Sequence, residues 1–292
     1  MSQPKENYSA KLRAKSMVYF VICIILTLIC LVPIYILIIN ATRKHVDIIS
    51  SVSFIPGSNL AANVKKLLND PMFQFDPFIG FKNSAIIAVG STVLSVFFSA
   101  LTAYGLVVYD FKLRGPAYTF ILVVMMVPMQ VTSVGFLQFM IKLGLSDSFI
   151  PLIVPTIAAP AIVFFMRQYL KSSFPLDIVE AARIDGCGEF RTFLTIAIPM
   201  MKPAIAVQAI FAFIQNWNNF YQPSMILVSR KFEQITMPMM INMLKSNDKI
   251  ADYGVIYAGI ALSIIPVVVI YLLLSRFIVE GLSLIHISEP TR

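Results

Sequence analysis

The chain has 292 residues, of which 58% are hydrophobic and 13% are charged, and its mean hydropathy is +0.81. A soluble domain carries about twice that charged fraction, so the composition excludes an ordinary soluble protein. The net charge of +8 comes from cations between apolar runs rather than from one basic patch. This pattern argues against a nucleic acid as partner and indicates an all-α integral membrane protein.

Six apolar runs are long enough to cross the hydrocarbon of a bilayer as helices, which takes about 20 residues each. They are, in chain order, residues 17–39, 83–109, 117–141, 149–167, 203–228 and 254–275. Their continuous apolarity, without strict alternation, favours helices over barrel strands. The first run is longer than a signal-peptide core of about 7–15 residues, so we interpret it as an uncleaved span after a basic tail, residues 1–16.

The distribution of Lys and Arg favours a cytoplasmic N-terminus. Four basic residues precede the first span, and Lys112 and Arg114 lie in the 110–116 loop, whereas the next short loop contains only Lys142. Six crossings then place both termini and the 168–202 segment in the cytoplasm. The segments expected outside are 40–82, 142–148 and 229–253. The first of these is predicted to be irregular, with a short helix near 60–69.

The segment between the fourth and fifth spans, called here the charged hairpin (residues 168–202), is polar where its neighbours are apolar. Asp177 is positioned to cap a first helix, which Gly186 and Gly188 are expected to end. A second helix near 189–198 would place four apolar side chains on one face, those of Phe190, Phe193, Leu194 and Ala197. The hairpin is either a handle for a soluble partner or a helix lying on the membrane surface.

Four amide side chains in the fifth span have the spacing of one helical face. They belong to Gln215, Asn218, Asn219 and Gln222, in the sequence QNWNNFYQ. Trp217 and Tyr221 lie beside them and offer rings that could stack on a sugar, and Gln130 in the third span is a further candidate. Because unpaired amides are costly in lipid, the pattern predicts either a wet substrate pathway or polar contacts that join helices.

Arg167 is the one ionisable Asp, Glu, Lys, Arg or His residue within the six predicted spans. Ion-coupled carriers usually keep carboxylates or histidines at depth, so any uphill transport is expected to draw its energy from elsewhere. A secondary carrier or channel for a small polar solute remains the alternative. His45 and His286 are too isolated for a catalytic group, and the three cysteines lack the spacing of a metal site.

The sequence EAARIDGCGEFRTFLTIAIPMMKPA, residues 180–204, resembles the EAA motif of the permeases of bacterial ABC importers. The matching residues are Glu180, Ala181, Ala182, Gly186, Ile196 and Pro199, with Ile198 where leucine is usual. Other matching segments include NSAIIAVGSTVLSVFFSALTAYGL, NWNNFYQPSMIL and the last span, so the resemblance covers about residues 17–282. The chain is most similar to the shorter of the two permeases in carbohydrate importers of the maltose type.

This resemblance implies a six-helix permease domain, residues 17–282, with a coupling helix that docks on a cytoplasmic ATPase dimer. The coupling residues would be Glu180, Ala181, Ala182, Asp185 and Gly186. It also implies a second permease subunit, an extracellular solute-binding protein, a sugar substrate and a bacterial cell membrane. The chain would be no enzyme and would hold no cofactor or metal, since ATP would bind the partner subunits and no G-x-x-x-x-G-K-[ST] loop is present here.

The C-terminal tail, residues 283–292, departs from the family pattern. Family members usually end in a glycine-rich segment that contains lysine, whereas this chain ends in SLIHISEPTR. That ending looks foreign to the family, so we assign no function to Leu284–Arg292.

Overall fold

A computed structural model describes residues 5–246 and 252–287, and within these residues the protein is helical, with no strand. The helices are α1 (Lys5–Ala41), α2 (His45–Ser50), α3 (Leu60–Asn69), α4 (Pro77–Val108), α5 (Arg114–Met125), α6 (Met129–Lys142), α7 (Ile150–Ile153), α8 (Pro160–Ser173), α9 (Asp177–Ile184), α10 (Glu189–Thr192), α11 (Ile198–Met200), α12 (Lys202–Trp217), α13 (Tyr221–Ile226), α14 (Met237–Ser246) and α15 (Tyr253–Ile287). Short 3₁₀ turns lie at Pro71–Phe73, Val154–Ile157 and Phe232–Gln234, and a π-turn at Phe193–Ala197. The predicted helix near 60–69 is confirmed as α3.

Four stretches of the described chain are long and apolar enough to cross a membrane. They are Lys15–Ala41, Pro71–Val108, Ile150–Ser173 and Tyr253–Leu273. Two further stretches are long enough only if two helices joined at a bend count as one span. The bend is 96° between α5 and α6, and 80° between Glu189–Met200 and α12. The structure therefore contains four to six candidate spans.

The third and fifth predicted spans are interrupted in the structure. The predicted 117–141 helix breaks before α6, where Pro128 takes an extended conformation with ψ 129°. Proline lacks an N–H and disfavours a helical conformation in the residue before it, so this break has a local cause. The predicted 203–228 helix stops at Trp217, and α13 resumes at Tyr221.

The ends of the first and last helices also differ from the predicted boundaries. Helix α1 begins at Lys5, so most of the predicted tail 1–16 is helical, and α15 continues to Ile287. The last residues of the predicted C-terminal tail, 288–292, lie outside the described residues. Pro33 and Pro266 lie inside long helices, as apolar spans allow.

The chain folds as two compact units, of which the first combines residues 1–75 with 244–262. Asn63 is buried there, and its side-chain amide donates to the carbonyls of Ala41 and Arg43 at 2.8 and 2.9 Å. A Cβ atom on Gly254 would lie 2.5 Å from the Arg43 carbonyl oxygen, so this close approach requires glycine. Lys66 and Asp252 form an ion pair of 2.8 Å in the same unit.

The second unit, residues 76–243 with 263–292, is built around α4. Helices α8 and α12 pack on α4, and small side chains on α4 make this close approach possible. They recur at helical spacing and are buried at Ser84, Ala88, Ser91, Ser95, Ser99 and Ala103. The Ser91 hydroxyl donates to the carbonyl of Leu152 in α7, and the Ser99 hydroxyl donates to that of Ala159, just before α8.

Asn83, near the start of α4, fixes a distant loop by hydrogen bonds. Its side chain is 1% exposed and donates to the carbonyls of Glu233 and Ile235 at 2.8 and 3.0 Å. The Ser84 hydroxyl accepts from the Met237 N–H at 2.9 Å. The beginning of α4 is therefore held against residues 233–237.

We expect Asn83→Ala to destabilise the protein by about 2 kcal/mol, because the buried Ile235 carbonyl and the partly buried Glu233 carbonyl lose their donor. Thermal unfolding in detergent should show a midpoint several degrees lower than that of the wild type. Lys82→Ala is the matched control, since Lys82 is the exposed neighbour and should leave the midpoint unchanged. Equal midpoints for the Asn83 and Lys82 variants would contradict the assignment.

Candidate functional site

The first helix of the charged hairpin is α9, and it begins one residue earlier than predicted. We expected Asp177 to be the N-cap, but Leu176 has helical dihedral angles and occupies that position, without a side-chain cap. Asp177 is instead the first residue of the helix. The carboxylates of Asp177 and Glu180 still lie in its first turn, where the helix dipole favours negative charge.

Gly186 ends α9 in a Schellman motif. Its φ is +74°, which L side chains rarely adopt, and the Cys187 N–H donates to the Ala182 carbonyl at 2.9 Å while the Gly186 N–H donates to that of Arg183. A Cβ atom on Gly186 would meet nothing within 4 Å. The backbone conformation therefore requires this glycine, and the space outside it is open.

An ion pair joins the two helices of the hairpin and connects them to the end of α4. Arg183 donates from Nε to Glu189 Oε1 at 2.7 Å and from Nη2 to Oε2 at 3.3 Å, and the Tyr109 hydroxyl donates to Oε2 at 2.7 Å. These hydrogen bonds lower the pKa of Glu189, with the Arg183 bond contributing most. The same pairing raises the pKa of Arg183.

The inner face of the hairpin belongs to the main core of the second unit. Val179, Phe193 and Ala197 are at most 1% exposed, and Phe193 packs on the buried ring of Tyr104. We predicted one apolar face for residues 190, 193, 194 and 197, but Phe190 and Leu194 are exposed by 58% and 41%. The π-turn at 193–197 changes the helical period from Phe193 onward, so the residues on either side of it do not follow one 3.6-residue spacing.

Four of the five predicted coupling residues lie on the outer surface of the hairpin. Glu180, Ala181, Asp185 and Gly186 are exposed, whereas Ala182 is 7% exposed and packs inward. Exposed apolar side chains surround them, with Ile184 at 86% and Ile178 at 37%. A mixed surface of this kind, with small and acidic residues among apolar ones, is typical of an interaction site.

The charged hairpin and the 233–237 loop lie at opposite ends of α4. Tyr109, just after the helix, contacts Glu189, whereas Asn83 near its start contacts Glu233 and Ile235. At the latter end the 142–148 loop contacts the 233–237 loop, since Gln234 Nε2 donates to the Asp147 carbonyl at 2.9 Å. The 142–148 and 233–237 loops therefore lie at the same end of α4.

The four amides of the fifth span do not share one helix face. Helix α12 ends at Trp217, so Gln215 lies in that helix, Asn218 follows it and Gln222 belongs to α13. Gln215 and Asn218 are exposed. Asn219 donates to the Gln222 side-chain carbonyl at 2.8 Å, and its own carbonyl caps the Gln222 N–H.

Tyr221 lies near the start of α6, where it forms a second polar group with Ser133 and Gln130. Its hydroxyl lies 2.8 Å from that of Ser133, which donates to the Gln130 carbonyl at 2.7 Å. The Gln130 side chain is exposed. We call Gln130, Ser133, Asn219, Tyr221 and Gln222 the polar cluster. Ser133 was not predicted, because a single serine in an apolar run carries no sequence signal.

Trp217 is a core residue in this structure. It is 3% exposed, its ring stacks with those of Phe81 and Phe213, and Nε1 donates to the Ser263 carbonyl at 3.2 Å. The ring has no free face for a sugar, so the prediction that it contacts substrate does not fit this packing. Within the residues that the structure describes, no group of His, Cys, Asp and Glu side chains could hold a metal ion.

Comparisons with known proteins agree with the resemblance inferred from the sequence. A model of the family described as "Binding-protein-dependent transport system inner membrane component" matches residues 95–283. The arabinooligosaccharides transport system permease protein AraQ of Bacillus subtilis (strain 168) is 34% identical over 263 residues, which cover 88% of this chain and 90% of that protein.

Two further relatives have other substrates in their names. The lactose transport system permease protein LacG of Rhizobium radiobacter is 32% identical, covering 72% of this chain and 75% of that protein. The sn-glycerol-3-phosphate transport system permease protein UgpE of Pectobacterium atrosepticum is 28% identical, covering 90% and 94%.

One solved structure has a similar fold. It is the crystal structure of a bacterial ABC transporter involved in the import of the acidic polysaccharide alginate, and one of its chains aligns with a TM-score of 0.73. The alignment covers 94% of this chain and 99% of that chain at 23% identity. At this identity the likeness establishes the fold alone.

We expect Glu189→Gln to loosen the hairpin, because the uncharged amide loses the charge-assisted bonds to Arg183. Both partners are about 40% exposed, so solvent screening keeps the effect small, and we expect a loss of amide protection of roughly fivefold at most. Hydrogen exchange of residues 177–200 measures it, with exposed Glu180→Gln as the control.

The effect should depend on pH with a defined sign. Because the folded-state pKa of Glu189 is lowered, the stabilisation is complete above the ordinary value of 4.5 and is lost as pH falls through the folded pKa. Protection of the wild type should therefore approach that of Glu189→Gln in acid. A difference that persists unchanged below that range would contradict the ion pair as its cause.

Proposed function

The chain belongs to the family of binding-protein-dependent transport system inner membrane components, and from this we propose that it is one permease subunit of an ATP-driven carbohydrate importer. Membership makes it a transport protein of a membrane rather than an enzyme. In the proposal it is the shorter of two homologous permeases and forms half of the pathway. The exposed surface of the charged hairpin, which carries Glu180, Ala181, Asp185 and Gly186, is the observation that carries the proposal.

A carbohydrate is the substrate class that the spans favour. Two relatives are named for arabinooligosaccharides and lactose, and another for sn-glycerol-3-phosphate. A phosphate ester needs a cation or a set of N–H donors along its route, yet the predicted spans contain only Arg167, which lies at the hairpin end. Amide and hydroxyl side chains instead suit a neutral solute that carries many hydroxyl groups.

We propose six membrane crossings, with α5 and α6 forming one bent span and the predicted 203–228 run, which contains α12 and α13, forming another. Both termini and the charged hairpin then lie in the cytoplasm of a bacterial cell. The charged hairpin and the 233–237 loop contact opposite ends of α4, which supports their placement on opposite sides of the membrane. The permease domain would extend over residues 17–282, with 283–292 as a tail.

The proposed coupling begins where α9 docks on a cytoplasmic ATPase dimer. Ala181 and open Gly186 permit close approach, and Glu180 and Asp185 offer carboxylates to a partner. Movement of α9 would pass through Arg183 and Glu189 to Tyr109 at the end of α4. Ala182 and Val179 would anchor the helix to the core, so that the hairpin moves the spans instead of bending alone.

The proposed substrate pathway includes the polar cluster together with Gln215 and Asn218. These amides and hydroxyls lie where helices break, and breaks expose backbone groups that a wet cavity can satisfy. Trp217 supports this region from the core and is left out of the pathway. An extracellular solute-binding protein would deliver the sugar at the 233–237 end of α4.

A secondary carrier or channel is the competing function. It would work without an ATPase, whereas the proposed permease requires one. Vesicles that contain this chain and a second permease, with and without ATPase subunits and ATP inside, separate the two. Uptake that depends on internal ATP supports the permease, and equal uptake without the ATPase overturns the proposal.

In the assembled transporter, Glu180→Lys should lower ATP-driven uptake roughly tenfold, the effect of about 1.4 kcal/mol of lost docking free energy. Gly186→Phe should do the same, since it fills the open space beside α9. Gly186→Asn is the matched control for Gly186→Phe, because asparagine is smaller and tolerates a positive φ. Normal uptake by Glu180→Lys and Gly186→Phe would argue against docking here.

We expect Asn219→Leu to change transport rates differently for different sugars, since it removes both hydrogen bonds to Gln222 from the polar cluster. Asn218→Leu should have a similar effect. Initial uptake rates for arabinooligosaccharides, lactose and maltose measure it. Asn216→Leu is the control, because the Asn216 amide is bonded to its own helix at Ala212. If all rates change by one common factor, the amides have only a structural role.

A further inference from the structure

Arg167 is a cation in an apolar helix, and its guanidinium makes only part of the interactions of which it is capable. It lies on α8, six residues before the helix ends at Ser173. Its Nε atom is buried and has no hydrogen-bond partner among the described residues. The residue as a whole is half-buried, and none of the described carboxylates forms an ion pair with it, so a ligand with a negative oxygen would meet an uncompensated cation.

An aromatic ring fixes the orientation of this cation. The guanidinium of Arg167 lies over the ring of Tyr118 on α5, with 3.7 Å from Cζ to the ring centroid. Stacking of this kind holds the planar group while its edge stays available for hydrogen bonds. Since α5 and α8 pack together in the second unit, the stacked pair joins the two helices.

Two further cations lie one turn closer to the hairpin end of the same helices. Lys171 follows Arg167 by four residues on α8, and Arg114 precedes Tyr118 by four on α5, so each pair shares a helix face. The two helices run in opposite directions, and both displacements, about 6 Å each, lead toward the same end. Arg114, Arg167 and Lys171 thus concentrate positive charge at one end of the α5–α8 pair.

The negative charge next to this group is weak. Asp110 lies 3.8 Å from Arg114, but its side chain is 99% exposed, so solvent screens the pair. Elsewhere on the same two helices apolar side chains are exposed, among them Phe120 at 68% and Phe165 at 55%, which indicates that α5 and α8 face lipid. A site with cations at the end of lipid-facing helices matches a phospholipid, whose phosphate lies just above its acyl chains.

We propose that Arg167, Lys171 and Arg114 bind the phosphate of an anionic phospholipid in the membrane leaflet on the hairpin side. Basic pockets between membrane helices recognise such headgroups through the same combination of charge and donors. The lipid oxygen would accept from the exposed edge of the Arg167 guanidinium, and Tyr118 would hold that group in place. This site is separate from both the coupling surface and the polar cluster, and its existence does not depend on transport.

The test is native mass spectrometry of the full chain, titrated with phosphatidylglycerol or with phosphatidylcholine. We expect phosphatidylglycerol to bind at least tenfold more tightly, and Arg167→Gln to remove most of that preference. Lys202→Gln is the matched control, since Lys202 is an exposed cation at the start of α12, at the same end of the second unit, and should leave binding unchanged. Lys171→Gln should have a smaller effect than Arg167→Gln.

Two further measurements test the role of Tyr118 and the identity of the bound anion. Tyr118→Leu retains every charge, so weaker lipid binding by this variant, with an unchanged thermal midpoint, supports the oriented guanidinium. Inorganic phosphate at millimolar concentration should not displace the lipid, and displacement would assign the site to a soluble anion and overturn the proposal. Equal retention of the two lipids, or wild-type binding by Arg167→Gln, would also overturn it.

Discussion

The contact of Tyr109 with Glu189 is the constraint on which the arrangement of the second unit depends. It connects the charged hairpin to α4, the helix on which α8 and α12 pack. Because Glu189 also holds Arg183, a single carboxylate fixes the angle between the two hairpin helices and their attachment to the spans. Any force applied to α9 therefore reaches the centre of the unit through bonded groups instead of through a flexible linker.

Local features of the chain were predictable from its sequence because their causes lie within a few residues. The end of α9 at Gly186 and the short helix α3 follow from glycine conformation and from apolar spacing, and both are present. The EAA motif also identified the family correctly. The break before α6 could have been predicted, because Pro128 acts on its own neighbours and the sequence contains it.

Features that depend on distant partners could not be predicted. Trp217 resembles a binding residue in the sequence, yet Phe81 and Ser263, which lie far away along the chain, bury it. The prediction of one shared face for the four amides required a helix that continues past Trp217. The observed helix ends there, and the amides lie in different surroundings. Helical spacing indicates a shared face only while the helix continues, and nothing in the local pattern marks its end.

The row of small side chains along α4 has a consequence for how this protein can vary. From Ser84 to Ala103 the packed face offers room for a methyl or hydroxyl group, while Ile86, Val89 and Val93 on the same helix are 45–60% exposed. Substitution should thus be tolerated along one edge of the helix and rejected along the other. A library of α4 variants selected for growth would separate into two stripes, and the boundary between them would map the lipid-facing surface without any further structure.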